Sequence, residues 1–189
     1  KAADIGDAHQ NRFWMDAFMR GSYPQVLIDN YGDELLSVIK DGDLKAATVK
    51  NDFIGINYYF DNRIGKSLGG KPEWHSISGL FELDIDETPR GPLTDMGWPL
   101  TPNGLETLLV RWHKEYGNKL PDLYITENGA AYDDGPDASG QVNDQRRIDY
   151  LHNHINAVAS AIAKGSPVKG YYQWSLMDNF EWALGYEKR

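Results

Sequence analysis

Leu123-Tyr124-Ile125-Thr126-Glu127-Asn128-Gly129 is a short apolar, β-type run that stops abruptly at a carboxylate. Asn128-Gly129 supplies a turn tolerant of positive φ, which lets Glu127 face a cleft at the end of a buried strand. In parallel α/β folds the C-terminal ends of strands are where catalytic residues collect. The same residues equally suit a strand that runs out into a solvated loop. The flanking sequence has to choose between the two.

On the N-terminal side, Thr101 is placed to cap a helix with Pro102 in its first turn. Leu105, Leu108, Leu109, Trp112 and Tyr116 give that helix an apolar stripe at helical spacing. Before it lies Lys66 to Trp98, long, rich in Gly and Pro, and read as an irregular loop. Asp52 to Tyr59 (D-F-I-G-I-N-Y-Y) is β-branched and aromatic, hence a buried strand. Helices are expected over Asp4 to Arg20, with Ile5, Ala8, Trp14, Ala17 and Phe18 on one side, and near Gln25 to Ile39, interrupted at Tyr31-Gly32. On the C-terminal side, a loop from Asn128 to Gly140 precedes a helix from about Asp144 to Lys164. Ile148, Leu151, Ile155, Val158 and Ile162 are its expected inward face, and Gly165 closes it. Val168 to Leu176 is the last strand, followed by a polar and aromatic loop over Met177 to Arg189. Strand, helix, strand, helix, strand is the alternation of a parallel α/β sheet. The first strand is not followed by a Gly-rich phosphate fingerprint, which counts against a dinucleotide-binding fold. Three strands each ending in a polar or aromatic cluster fit a (β/α)8 TIM barrel. Such a barrel has eight strands and about 250 residues, so residues 1–189 are expected to be a partial single catalytic domain covering roughly the last three βα units, with no second domain.

Composition narrows the partners. The formal charge of -9 disfavours nucleic acid, and the absence of cysteine excludes disulfides, thiolate metal sites and thiol nucleophiles. No run approaches the roughly 18 apolar residues of a membrane span. No signal peptide is visible, so a cytoplasmic location is the expectation. Six Trp and eleven Tyr are plentiful, and core packing accounts for most of them. Several of them (Tyr58, Tyr59, Trp98, Trp174, Trp182) lie beside polar residues at expected strand ends. A ring with an apolar face and a polar handle suits a sugar, which has C–H faces and a rim of hydroxyls.

Four motifs then make the reading specific: G-I-N-Y-Y (Gly55 to Tyr59), M-G-W (Met96 to Trp98) followed by P-N-G-L (Pro102 to Leu105), I-T-E-N-G (Ile125 to Gly129), and W-S-L-M-D-N-F-E-W (Trp174 to Trp182). In their order and spacing they resemble the C-terminal portion of a family 1 glycoside hydrolase, the β-glucosidase family. The resemblance covers essentially the whole chain, from after the fifth barrel strand through the eighth. It implies that Glu127 is the catalytic nucleophile of a retaining β-glycosidase acting on β-glucosides or related oligosaccharides through a covalent glycosyl-enzyme ester. It further implies that Tyr59 hydrogen-bonds that carboxylate and that Asn57 lies near it and the sugar 2-hydroxyl. Glu181 and Trp182 would bond the glycone hydroxyls, Trp174 would lie under the sugar ring, and Trp98 would form the aglycone platform. The plainer alternatives are a core aromatic for Tyr59, a strand-end backbone cap for Asn57 and a loop anchor for Trp98. Relatives acting on 6-phosphorylated sugars replace the glutamate at Glu181 with a smaller residue, so this carboxylate argues for an unphosphorylated glycone. That glycone is expected to be glucose, with tolerance for galactose or fucose. The resemblance implies neither cofactor nor metal.

The family's acid/base carboxylate lies in a T-x-N-E-P segment at the fourth strand, and no such segment occurs in these 189 residues. The expected partner is therefore the N-terminal portion of the same barrel, and this chain alone is expected to be inactive or nearly so. A non-catalytic sugar-binding relative and a transglycosidase are the alternatives, separated by ligand binding without turnover and by product analysis with an alcohol acceptor.

Overall fold

The computed structural model describes residues 2–66, 76–78, 83–85 and 91–188. These fall into two compact units, residues 1–50 with 62–88, and residues 51–61 with 89–189.

In the first unit, helix α1 (Ala2–Asp7), a π-helical segment (Ala8–Arg12) and α2 (Phe13–Arg20) run on continuously. Gly21 ends them in the left-handed conformation, φ 67°. The expected inward face holds for Ala8 and Ala17 but not for Trp14 and Phe18, which are 56% and 40% exposed; Met15, Asp16 and Met19 are buried instead. At about 3.6 residues per turn Trp14 and Phe18 stand about 180° and about 220° around a regular helix from Ile5, so the five residues do not share one face, and the i→i+5 bonds of the π segment shift the phase again before α2. Helix α3 (Gln25–Val38) is interrupted at Gly32, φ 49° and ψ -129°, where the break was expected, and α4 (Asp43–Ala47) follows. Strands β2 (Ile64–Lys66), β3 (Ser76–Ser78) and β4 (Leu83–Ile85) form an antiparallel sheet in the order β2-β4-β3. The stretch read as one irregular loop from Lys66 to Trp98 therefore contains strands. Much of the remainder lies outside the described residues.

The second unit is a parallel sheet in the order β1-β5-β6, from β1 (Phe53–Asn57), β5 (Asp122–Asn128) and β6 (Val168–Gln173). The crossovers carry α5 (Pro102–Tyr116) and α6 (Gln145–Ala163), which pack on each other. The core lies between sheet and helices. Leu123 and Ile125 of β5 meet Leu105, Leu109, Trp112 and Tyr116 of α5 there, all buried. Thr101 begins α5 as expected, yet its side chain makes no capping bond. Its hydroxyl instead accepts from the Asp61 amide at 2.9 Å and lies 2.9 Å from the Tyr58 hydroxyl, tying the end of β1 to the start of α5.

The inward face of α6 differs from expectation. Val158 is buried, but Ile148, Ile155 and Ile162 are 55%, 49% and 47% exposed, while Tyr150, His154, Ala157 and Ala161 are buried. Apolarity alone misplaces this face because most of the polar atoms it buries have partners, His154 Nε2 being the exception among the described residues. The Tyr150 hydroxyl accepts from Asn128, and His154 Nδ1 lies 2.8 Å from the Tyr150 carbonyl oxygen. Among the described residues, no helix is long and apolar enough to cross a membrane.

Candidate functional site

β5 carries a bulge where the chemistry is expected. Ile125 pairs with Ile56, but the next partner of Asn57 is Glu127, so two steps of β5 lie against one of β1. Strict alternation from Leu123 and Ile125 would bury Glu127. Instead Asn128 is fully buried and Glu127 is half-buried. An extra residue of this kind re-aims a side chain at a strand end.

Tyr59, just past β1, donates its hydroxyl proton to Glu127 Oε2 at 2.7 Å. Burial, then this bond and the charge of Glu127, push the Tyr59 hydroxyl well above its usual 10.0, so it stays a neutral donor. The Trp98 ring centroid lies 5.1 Å from that of Tyr59 and 5.3 Å from Phe60. Tyr59, Trp98, Trp174 and Glu181 line one cleft of about 220 Å³; Glu127 is not among the lining residues and stands behind Tyr59, whose hydroxyl it accepts from. Trp174 is 42% exposed, and its amide donates to the Asn128 carbonyl at 3.0 Å. Glu181 Oε2 accepts from Asn179 Nδ2 at 3.0 Å, and Asn179 Oδ1 accepts from Ser175 at 3.3 Å, so this loop is organised by its own side chains.

Three candidates, Glu127, Trp182 and Asn57, do not line the cleft. Trp182 is 84% exposed, has a positive φ of 43° and does not line it. Asn57 stands opposite Glu127 in the β1–β5 register, but its side-chain oxygen accepts from Thr126 Oγ1 at 2.7 Å. Among the described residues no group of three or more His, Asp or Glu is arranged to hold a metal ion.

The structure adds a buried cluster that sequence patterning did not single out. Asn128 Nδ2 donates to the Tyr58 carbonyl at 2.7 Å and to the Tyr150 hydroxyl at 2.9 Å, and its Oδ1 accepts from the Tyr171 hydroxyl. One amide thus uses both protons and its oxygen to join β1, β5, β6 and α6, next to Glu127. The Tyr58 amide also donates to the Glu127 carbonyl at 2.9 Å. Tyr150 stacks on His154, centroids 4.0 Å apart, and burial lowers the His154 pKa from 6.5. Gly129 follows because nothing larger fits: a Cβ there would stand 1.9 Å from the Trp174 carbonyl oxygen. The available signal was the parity break after Ile125, which only the strand pairing reveals.

Comparison with known proteins gives one consistent result. A family model described as Glycosyl hydrolase family 1 matches residues 1–189. The chain is 40% identical to Beta-glucosidase A of Thermotoga maritima over 176 residues, 93% of this chain and 36% of that protein. It is also 40% identical to a 6-phospho-beta-galactosidase of Clostridium acetobutylicum over 209 residues, 100% of this chain and 43% of that one. Among solved structures it resembles the psychrophilic beta-glucosidase of Micrococcus antarcticus with a TM-score of 0.85 and 41% identity, covering 100% of this chain and 42% of that one. The family 1 beta-glucosidase of Thermotoga maritima, in complex with isofagomine lactam, gives 0.84 and 36%, over 100% and 40%. The chain spans about 40% of the length of the relatives it matches.

Proposed function

Because the chain belongs to glycosyl hydrolase family 1 and carries part of its TIM barrel, we propose that it supplies the nucleophile side of a retaining β-glycosidase that hydrolyses β-D-glucosides. Glu127 attacks the anomeric carbon as the bond to the aglycone oxygen breaks, and the aglycone takes its proton from an acid outside these 189 residues. Water, deprotonated by the same group, then attacks that carbon and releases Glu127 with configuration retained. Trp174 and Glu181 face the glycone, Trp98 the aglycone, and Asn57 and Trp182 complete the sugar contacts when the barrel is whole. The observation that carries this reading is the 2.7 Å bond from Tyr59 to Glu127 at the bulged end of β5, beside a cleft lined by aromatic rings.

The complementary part of the barrel, which the relatives carry, is the partner of this chain in function. Three paired strands leave the outer edges of β1 and β6 without a sheet neighbour among the described residues. The 189 residues alone are therefore expected to show little or no turnover of an aryl β-glucoside.

A 6-phosphoglycoside is the second reading, favoured by the 6-phospho-beta-galactosidase among the relatives and by Arg147 and Lys188 in the cleft lining. The Glu181 carboxylate in that lining opposes a phosphate dianion, so the neutral glycone is preferred. The test is intact mass after treating the complete barrel with 2,4-dinitrophenyl 2-deoxy-2-fluoro-β-glucoside, whose leaving group needs no acid. A stable adduct on Glu127, abolished by Glu127→Gln, is expected. An adduct elsewhere refutes the assignment, and labelling only by the 6-phosphorylated reagent refutes the glycone.

A further inference from the structure

Trp98 stands in a tight turn whose fixed point lies in another element. Leu93 bridges Pro99, the Thr94 amide donates to the Trp98 carbonyl at 2.8 Å, and the Trp98 amide donates to Thr94 Oγ1 at 3.2 Å. Gly97, φ 79°, closes the turn by donating to the Thr94 carbonyl at 2.8 Å. Trp98 and Asp95 thus belong to one small, internally bonded body. Where Asp95 goes, Trp98 goes.

Asp95 is fastened on three sides. Its amide donates to the Ala131 carbonyl at 3.1 Å, and its Oδ2 accepts from the Asp133 amide at 2.6 Å. Arg146 then grips both carboxylate oxygens, Nη1 to Oδ1 at 3.0 Å and Nη2 to Oδ2 at 3.3 Å. The same guanidinium reaches Asp134, through Nε at 3.2 Å and Nη2 at 2.7 Å, and lies 4.4 Å above the ring of buried Tyr132. Arg146 sits in the first turn of α6, the helix whose Tyr150 and His154 are locked in the core. A planar fork can hold two carboxylates and a ring face at once, and a lysine ammonium cannot.

We propose that Arg146, acting through Asp95, is a positioning residue for the Trp98 platform and thereby sets how well the leaving-group side of a glycoside is held. This rests on the reading of the cleft given above, with Trp98 on the aglycone side. The pairs are too exposed to contribute much to stability, since exposed ion pairs add little to folding. Their effect is on geometry. Tyr59 and Glu127 are held by β1, β5 and their own bond, and Trp98 meets Tyr59 through a ring contact alone, centroids 5.1 Å apart, so bond cleavage at the glycone is expected to stay nearly intact when the clasp opens.

Arg146→Met and Arg146→Lys are compared with the unsubstituted protein in the complete barrel, using 4-nitrophenyl β-glucoside and β-glucosyl fluoride, which has no aglycone to stack. For both variants KM for the aryl substrate is expected to rise about threefold to tenfold, the size of one aromatic contact. Its kcat, both parameters for the fluoride and the melting temperature are expected to stay nearly unchanged. An equal loss on both substrates, no change on either, or full retention by the lysine variant overturns the proposal. An activity-independent arm uses ¹⁹F NMR of protein labelled with 5-fluorotryptophan, the Trp98 resonance being identified with Trp98→Phe. In Arg146→Met that resonance is expected to shift or broaden while those of the other tryptophans hold. An unmoved Trp98 resonance overturns the positioning role even if Glu127 labels as expected. A moved resonance with unlabelled Glu127 overturns the parent reading and keeps the clasp.

Discussion

Replacing Tyr59 by Phe removes one oxygen and one hydrogen bond, that to Glu127 Oε2 at 2.7 Å. A bond from a neutral hydroxyl to a carboxylate is charge-assisted, and such bonds contribute about 1.5–3 kcal/mol. At about 1.4 kcal/mol per factor of ten, loss of the full amount slows attack by Glu127 about 10- to 150-fold. The bond restrains the carboxylate at the bulged strand end; its charge-stabilising part weakens as the charge on Glu127 is drawn into bond formation, so the rate loses orientation and that slowing is an upper bound. Its loss therefore falls on the glycosylation step. The assay is the rate of single-turnover labelling of the complete barrel by the fluoro-glucoside reagent, which isolates that step from deglycosylation and from the acid. Folding should be nearly untouched: Tyr59 is half-buried and water can reach Glu127, so the urea midpoint should shift by less than about 1 kcal/mol equivalent. Because the Tyr59 hydroxyl titrates far above 10.0, the difference between the two proteins should persist unchanged from neutral pH to about pH 9. A labelling rate within threefold of the unsubstituted protein refutes the orienting role. A large loss of stability in parallel refutes the claim that the hydroxyl acts on Glu127 alone.

Asn128→Ala removes the side-chain partner of the Tyr58 carbonyl and of the half-buried Tyr171 hydroxyl and leaves the Tyr150 hydroxyl only its bond to the Tyr59 carbonyl; a loss of about 2–3 kcal/mol is expected, measured by urea unfolding of the complete barrel. His154, its pKa lowered by burial, binds fewer protons folded than unfolded near pH 6, so its contribution is present above pH 6.5 and is lost as pH falls below it. The urea midpoint should fall between pH 7.5 and 5.5, and less so in His154→Leu; equal slopes in the two proteins would contradict this. Gly129→Ala drives a methyl into the Trp174 carbonyl, costing about 1–3 kcal/mol and slowing labelling, whereas Gly135→Ala, with open space around its Cβ, should leave both unchanged.

Much of the second unit was legible because its strands and helices are short, alternating and bounded by turn residues. Leu105, Leu109, Trp112 and Tyr116 fall on the buried face that their spacing requires. What defeated the patterns was a change of phase. The π segment at Ala8–Arg12 shifts the phase between α1 and α2, and the bulge after Ile125 exchanges the burial of Glu127 for that of Asn128. One inserted residue is invisible to a period, since the letters on either side still alternate. The face of α6 failed for a different reason. Tyr150 and His154 carry polar atoms that patterning places outside; the Tyr150 hydroxyl is buried against Asn128, 22 residues away, and His154 Nδ1 against the Tyr150 carbonyl one turn back. At the site, Glu127 and Tyr59 could be paired from motifs, but Asp95, Arg146 and Asp134 could not. Their bond network spans 51 residues between Asp95 and Arg146 and follows no local spacing.

These differences separate two parts of the chemistry. The surroundings of Glu127, the proposed nucleophile, are held within the chain: the bulge aims Glu127, Tyr59 bonds it, and Asn128 joins the ends of all three parallel strands beside it. The segment proposed to face the sugar is tied to that body by the Trp174 amide on the Asn128 carbonyl and beyond it is bonded within itself. From Trp174 to Tyr186 its side-chain bonds run among Ser175, Met177, Asn179 and Glu181, while Leu176, Met177, Phe180, Trp182 and Tyr186 are exposed. The opposite face of the sheet is similarly open, with Phe53 and Tyr172 both more than half exposed. Apolar surface of this kind gains by being covered, and the complementary barrel strands are the cover that the family's fold provides. Restoring them should therefore change the two parts unequally. It should leave the Tyr59–Glu127 geometry where it is and order the segment that reads the sugar. On the proposed assignment, the attacking group is fixed by bonds local to this chain, and the choice of what is attacked is a property of the whole barrel.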